Sequence, residues 1–179
     1  MKYWLMKTEP DECSIDDALA APGRITPWTG VRNYQARNFM LNDMQIGDGV
    51  LFYHSSCPEP GIAGLAEVAS AAYPDQTQFD PKSDYYDPDS KRDKPRWFHV
   101  DVRAVRKTRL FPLAEMKAQK QLKKMVKVFF LVAHTQQLAL VLLTSCQNPL
   151  KWIRFIEMIY HGFLYIHSQI FVFSFYRKF

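Results

Sequence analysis

Trp97-Phe98-His99-Val100-Asp101-Val102-Arg103-Ala104-Val105 sets Phe98, Val100, Val102 and Ala104 on one face and His99, Asp101 and Arg103 on the other. That period of two predicts a strand with one buried face. Lys2-Tyr3-Trp4-Leu5-Met6-Lys7 and Val50-Leu51-Phe52-Tyr53-His54 read as further strands, and residues 62–68, after Pro60-Gly61, as the hairpin neighbour of the second. Helices are expected between them. Ser14 with Asp17 three positions on is a capping-box pattern opening a short helix through Ala20. Val31, Tyr34, Asn38 and Leu41 fall at helical spacing, which leaves Arg32 and Gln35 on the more exposed side. Pro112 begins another helix, to about Leu122. Residues 73–95, rich in Asp, Pro, Ser, Tyr and Lys, read as a long ordered loop. The fold class expected from this mixture is α+β.

A chain of 179 residues, 47% apolar, encloses one core and excludes disorder over most of its length. Residues 1–125 hold 18 basic and 17 acidic side chains, and residues 126–179 hold 5 and 1. The net charge of +5 therefore says little about the main body. Three scattered cysteines, Cys13, Cys57 and Cys146, make neither a disulfide framework nor a zinc site. They fit a reducing cytoplasm. The first residues are strand-like and run into Glu9-Pro10-Asp11, so no export leader is expected.

The chemistry available is narrow. His54 and Cys57 have H-x-x-C spacing, but the other ligand types are too scattered for a metal. Ser55, Ser56 and Cys57 stand near His54 without a nucleophile elbow, and no glycine-rich phosphate loop occurs. What remains is polar and aromatic. Trp28-Thr29-Gly30-Val31-Arg32-Asn33-Tyr34-Gln35-Ala36-Arg37-Asn38 and Phe52-Tyr53-His54-Ser55 combine rings with directional donors and acceptors. A nucleobase needs such a stacking face and edge partners, with Arg or Lys for the backbone. The competing reading of these residues alone is that the rings are core packing and the arginines pair with acids.

These stretches, in order with residues 3–10, Pro60-Gly61-Ile62-Ala63-Gly64, Ala72-Tyr73-Pro74-Asp75, Thr77-Gln78-Phe79, Tyr86-Asp87-Pro88 and Trp97, resemble the EVE domain. The likeness covers about residues 2–126, and residues 1–126 are read as the domain. It implies the PUA-like fold, a mixed β pseudo-barrel with flanking helices, and a non-enzymatic nucleic-acid module related to YTH and ASCH domains. It further implies a reader of modified bases, such as methylated cytosine, in DNA or RNA. Carried over, Trp28, Asn33, Tyr53, His54 and Ser55 are the expected pocket, and Lys7, Arg32 and Arg37 the phosphate or structural partners. No catalytic residue, metal or cofactor is expected. The alternatives are a small hydrolase or deaminase-like enzyme using His54 with Ser55 or Cys57, and an accessory protein with a vestigial pocket.

The resemblance stops near Val126. Six of the seven Gly and ten of the eleven Pro precede that point, and residues 128–132, 138–143 and 158–176 are apolar and aromatic runs. Residues 127–179 lack the family's closing strand and acidic helix and are read as an aberrant hydrophobic tail. An extension or a membrane-associated appendage is the alternative. Without that strand one sheet edge stays open unless residues 128–132 or 138–143 replace it.

Overall fold

The computed structural model describes residues 1–118 and 141–142. Strands β1 (Tyr3–Thr8), β2 (Ile25–Pro27), β3 (Gly49–His54), β4 (Gly61–Val68), β7 (Asp101–Pro112) and β8 (Val141–Leu142) form one mixed sheet, ordered β2-β7-β4-β3-β1-β8. β1 runs parallel to β3, from Tyr3 opposite Gly49 to Thr8 opposite His54, while β3–β4, β4–β7, β2–β7 and β1–β8 are antiparallel. A parallel pair needs a crossover. It consists of α1 (Pro10–Cys13), α2 (Ile15–Ala20), β2 and α3 (Tyr34–Asn42). The short pair β5 (Tyr73–Pro74) and β6 (Phe98–His99) stands apart, and α4 (Leu113–Ala118) follows β7. This is the expected PUA-like α+β fold, a mixed half-barrel with a few helices.

Register shifts between Phe52 and Tyr53 of β3, and twice along β4–β7, bend the sheet. One face carries the main core, where Trp4, Met6, Val50, Phe52, Val102 and Ala104 meet Ile15 and Ala18 of α2 and Ala36 and Met40 of α3. Leu5, Leu51 and Tyr53, the alternate positions, are equally buried but outside that cluster. α2 starts as expected: Ser14 Oγ accepts from Asp17 N at 3.1 Å, and Ser14 N donates to Asp17 Oδ2 at 2.9 Å. Its Ile15 lies so close to β4 that a Cβ on Gly64 would stand 2.5 Å from Ile15 Cδ1.

Three expectations are corrected. α3 begins at Tyr34 because Asn33 caps it, so Val31 and Arg32 precede the helix. The buried stripe is Ala36 and Met40 with Phe39 half-buried, whereas Tyr34 and Leu41 are exposed. Arg32, expected outside, is drawn in by Asp75. The strand from Trp97 breaks at Val100 into β6 and β7, so alternation does not carry across. His99, placed on the polar face by the sequence, is buried against the Tyr73 ring at 4.1 Å. The loop at 73–95 contains β5 and a 3-10 turn, Gln76–Phe79. Its ordering centre is the buried Gln78, whose amide donates to Asp75 O and Trp97 O and accepts from Arg96 N and Trp97 N.

Of the tail, only residues 141–142 are described. Leu142 faces Trp4 and Val141 faces Leu5 in the β1–β8 register. The runs at 128–132 and 158–176, and the rest of the calls on 119–140 and 143–179, lie outside the described residues. Among the described residues no helix is long and apolar enough to cross a membrane.

Candidate nucleic-acid interface

Residues 28–33 connect β2 to α3 and carry the densest set of expected site groups. Trp28 N–H donates to Val100 O at 2.9 Å, and its ring meets Phe52 edge-on at 5.2 Å and 84°. The residue is 4% exposed. A buried indole normally finds an acceptor, but Trp28 Nε1 has none among the described residues. Gly30 follows at φ +80°, a conformation glycine adopts freely. A Cβ there would lie 2.7 Å from Tyr85 Cζ, so the Tyr85 ring rests directly on this turn. Tyr85 donates to Glu12 Oε1 at 3.0 Å, and burial together with that carboxylate pushes its phenol up to about 12. Asn33 is half-buried, and its Oδ1 accepts from Ala36 N at 3.0 Å as the cap of α3.

Arg32 is a structural cation. Its Nη1 meets Asp75 Oδ2 at 2.9 Å, its Nη2 meets Thr77 Oγ1 at 2.9 Å, and its Nε donates to Tyr85 O at 2.8 Å. Burial alone would raise the Asp75 carboxyl. Its neighbours outweigh burial and hold it well below the carboxylate range: the His99 imidazole facing it at 3.8 Å, and the donors Thr77, Arg32 and the Gly30 N–H. Asp75 therefore ties the Trp28 turn to the 75–97 segment. Arg37 faces outward over the Tyr34 ring, 4.9 Å from its centroid.

The end of β3 splits the remaining candidates. Phe52 and His54 share a face and touch edge-on at 5.8 Å, which links Trp28, Phe52 and His54 into one chain of rings. His54 Nε2 accepts from Ile15 N at 3.0 Å. Burial pushes its imidazole below the ordinary value, Lys107 adds to that, and Asp16 and Asp17 oppose it. Beside it opens a cleft of about 210 Å³ lined by Ile15, Asp16, His54, Ala63, Lys107 and Leu110, with Thr108. Tyr53 points to the opposite face of the sheet, buried, its phenol pushed up to about 12 by burial. Lys7, two residues after Leu5 on β1, follows that same face. Ser55 is buried, with both N and Oγ donating to Thr8 O, at 2.8 and 3.0 Å. The fold thus brings Trp28, Asn33 and, through Phe52, His54 to one side, and holds Tyr53 and Lys7 behind the sheet.

Of the pairs named for the hydrolase alternative, His54 and Ser55 spend their hydrogen bonds on Ile15 and Thr8 rather than on each other. Among the described residues no cluster of His, Cys, Asp and Glu could hold a metal ion. Sequence reasoning missed Asp75 and Tyr85. The Asp75 signal was present as an isolated acid ahead of Thr77-Gln78, but Gly30 and Arg32, the partners that make it a tie, are more than forty residues away.

A bent mixed half-barrel, its parallel β1–β3 pair bridged by capped helices, defines a PUA-like domain. The chain belongs to the EVE domain family, whose profile matches residues 2–130. It is 50% identical over 132 residues to human thymocyte nuclear protein 1, a match covering 68% of this chain and 58% of that protein. The chain thus spans just over half the length of the curated relatives it matches. The crystal structure of human THYN1 protein in complex with 5-methylcytosine-containing DNA superposes with a TM-score of 0.73 at 40% identity, covering 88% of this chain and 98% of that one. A crystal structure from Pseudomonas putida gives 0.73 and 41%, covering 88% and 99%.

Proposed function

We propose that the chain is a binding module that reads a modified base, methylated cytosine or a close relative, in DNA or RNA through the surface around Trp28. The observation that carries this reading is the 5-methylcytosine DNA held by the human THYN1 structure. This chain's own chemistry supports it. Trp28 offers a ring and a buried N–H that has no acceptor among the described residues, the donor that a base carbonyl or ring nitrogen satisfies. Trp28 is nearly closed off, so a base reaches it only by displacing its neighbours, and the Tyr85 ring lies against Gly30 two residues on. That ring is held by the Glu12 carboxylate at its hydroxyl and by the Arg32 guanidinium 5.5 Å from its centroid, while Arg32 also fixes the Tyr85 carbonyl. Asn33 and His54 serve as edge partners on the same side. A base methyl buried against rings adds roughly 0.8 kcal/mol, a fewfold preference, so discrimination should be modest unless hydrogen bonds reinforce it.

No turnover is proposed. The half-buried thiols Cys13 and Cys57 are free and suit a reducing compartment. We place the protein in the cytoplasm, with the nucleus, given in the relatives' own name, as the second fraction to assay. The test is titration of matched oligonucleotides, with cytosine or 5-methylcytosine, single-stranded or duplex, DNA or RNA. Tighter binding of a modified strand supports the reading. Equal, negligible binding of all of them overturns it.

A further inference from the structure

Tyr34 stands out among the exposed aromatics because its surroundings are organised. The ring, 48% exposed, stacks on Trp97 at 4.8 Å and 29°. Trp97 is itself fixed, its indole N–H donating to Asp87 Oδ2 at 2.6 Å. The Tyr34 hydroxyl accepts from Arg96 Nη2 at 2.8 Å, and the Arg37 guanidinium lies over the ring at 4.9 Å. Arg37 is further held by neutral oxygens only. Its Nε and Nη2 donate to Asn38 Oδ1 at 3.0 and 2.6 Å, and its Nη1 donates to Arg96 O at 3.0 Å.

The contrast with the other well-placed arginines is chemical. Arg32, Arg96, Arg103 and Arg109 each face a carboxylate, whereas Arg37 faces none among the described residues. Among the described residues its charge is uncompensated, and its orientation is set by three groups, a ring, an amide and a carbonyl. Of its five N–H groups, three are spent inside the protein, which leaves one on each terminal nitrogen. A guanidinium so presented suits a tetrahedral oxyanion. It also lies one helical turn beyond Asn33, on the α3 that the Trp28 segment enters.

We infer that Arg37, held over Tyr34, binds a backbone phosphate of the strand whose base is read at Trp28. This rests on the reading proposed above and adds to it an anchor blind to base identity. Phosphate contacts position a strand, and base contacts specify it. The anchor therefore raises affinity for modified and plain strands alike.

The experiment titrates wild type and Arg37→Gln with a single-stranded oligonucleotide carrying one 5-methylcytosine, its plain counterpart, and versions in which each phosphate flanking that base is replaced in turn by an uncharged methylphosphonate. Expected for Arg37→Gln is a loss of about tenfold on both charged strands. The log–log salt slope should fall by about 0.7, with unchanged discrimination, affinities being compared for the folded fraction set by each protein's melting midpoint. One methylphosphonate position should weaken wild type and leave Arg37→Gln indifferent. Undiminished affinity of Arg37→Gln overturns the anchor, as does loss of discrimination with the slope intact or sensitivity of the variant to every methylphosphonate. Wild type that binds none of the strands overturns the base-reading proposal and the anchor together, and is distinguishable because no variant is then needed to see it.

Discussion

Arg32 Nη1 and Asp75 Oδ2 meet at 2.9 Å with side chains only 9% and 1% exposed, joining the segment before α3 to the start of the 75–97 loop. Each also bonds other groups: Arg32 the Tyr85 carbonyl and Thr77, Asp75 the Gly30 N–H and Thr77. Removing either partner strands a buried charge. Arg32→Ala should therefore cost about 3–5 kcal/mol of stability. It should weaken nucleic-acid binding only to the extent that unfolding does, checked by denaturant melts and titrations on the same preparation. A folded Arg32→Ala with its salt slope reduced would instead make Arg32 a phosphate ligand.

The same pair sets a pH dependence. The folded Asp75 carboxyl lies below its unfolded value of about 3.9, so its contribution is complete above that pH and is lost as pH falls toward the folded value. Asp75→Asn should be less stable near neutrality and show a shallower decline below about pH 4. Parallel acid-unfolding curves for the two proteins would contradict this.

Trp28 and Tyr53 should separate. If Trp28 stacks on the base, Trp28→Ala removes about 1–3 kcal/mol of binding, roughly tenfold to a hundredfold, beyond what its loss of stability explains. Tyr53, buried on the other face, should lower the unfolding midpoint when truncated, a cost of about 3–5 kcal/mol, and leave the affinity of the folded fraction intact. The measurement is paired, unfolding midpoint and oligonucleotide affinity for each variant.

Much of this was legible along the chain because the signals are local. The short apolar runs of β1, β3 and β4 between turn residues, and Ser14 with Asp17, need only neighbouring residues. The partition of the site was not legible. Whether Phe52 or Tyr53 joins Trp28 depends on which sheet face the β2–α3 connection crosses, a tertiary fact that both rings fit equally well in sequence. The inward turn of Arg32 depends on Asp75, 43 positions away. The exposure of Tyr34 follows from Asn33 capping one residue earlier, which moves the buried stripe to Ala36 and Met40.

His54 gives a second, milder pH signature. As acceptor for the Ile15 N–H it must be neutral at Nε2, and its folded value lies below the ordinary 6.5. Its contribution is thus complete above about 6.5 and fades as pH falls toward the folded value. His54→Gln should flatten the stability profile below about pH 6.5. An unchanged slope there would remove His54 as its source.

The last prediction concerns the edge of β1. Its inner edge is satisfied by β3, and Val141–Leu142 pairs with its outer edge at Trp4 and Leu5. This segment lies within residues 138–143, one of the two runs expected from the sequence as a substitute for a closing strand. An uncovered β1 would present a row of free N–H and C=O groups beside a highly apolar segment, a template for self-association. A chain ended after Gln137 should therefore melt lower than the full chain and form concentration-dependent oligomers by size-exclusion chromatography. Proline tests the pairing without shortening the chain, because it cannot donate to a ladder. Of Val141→Pro and Leu142→Pro, the one whose N–H faces β1 should reproduce the effect of ending the chain. Equal midpoints and equal monodispersity for all four proteins would mean that β8 contributes nothing to closing the sheet.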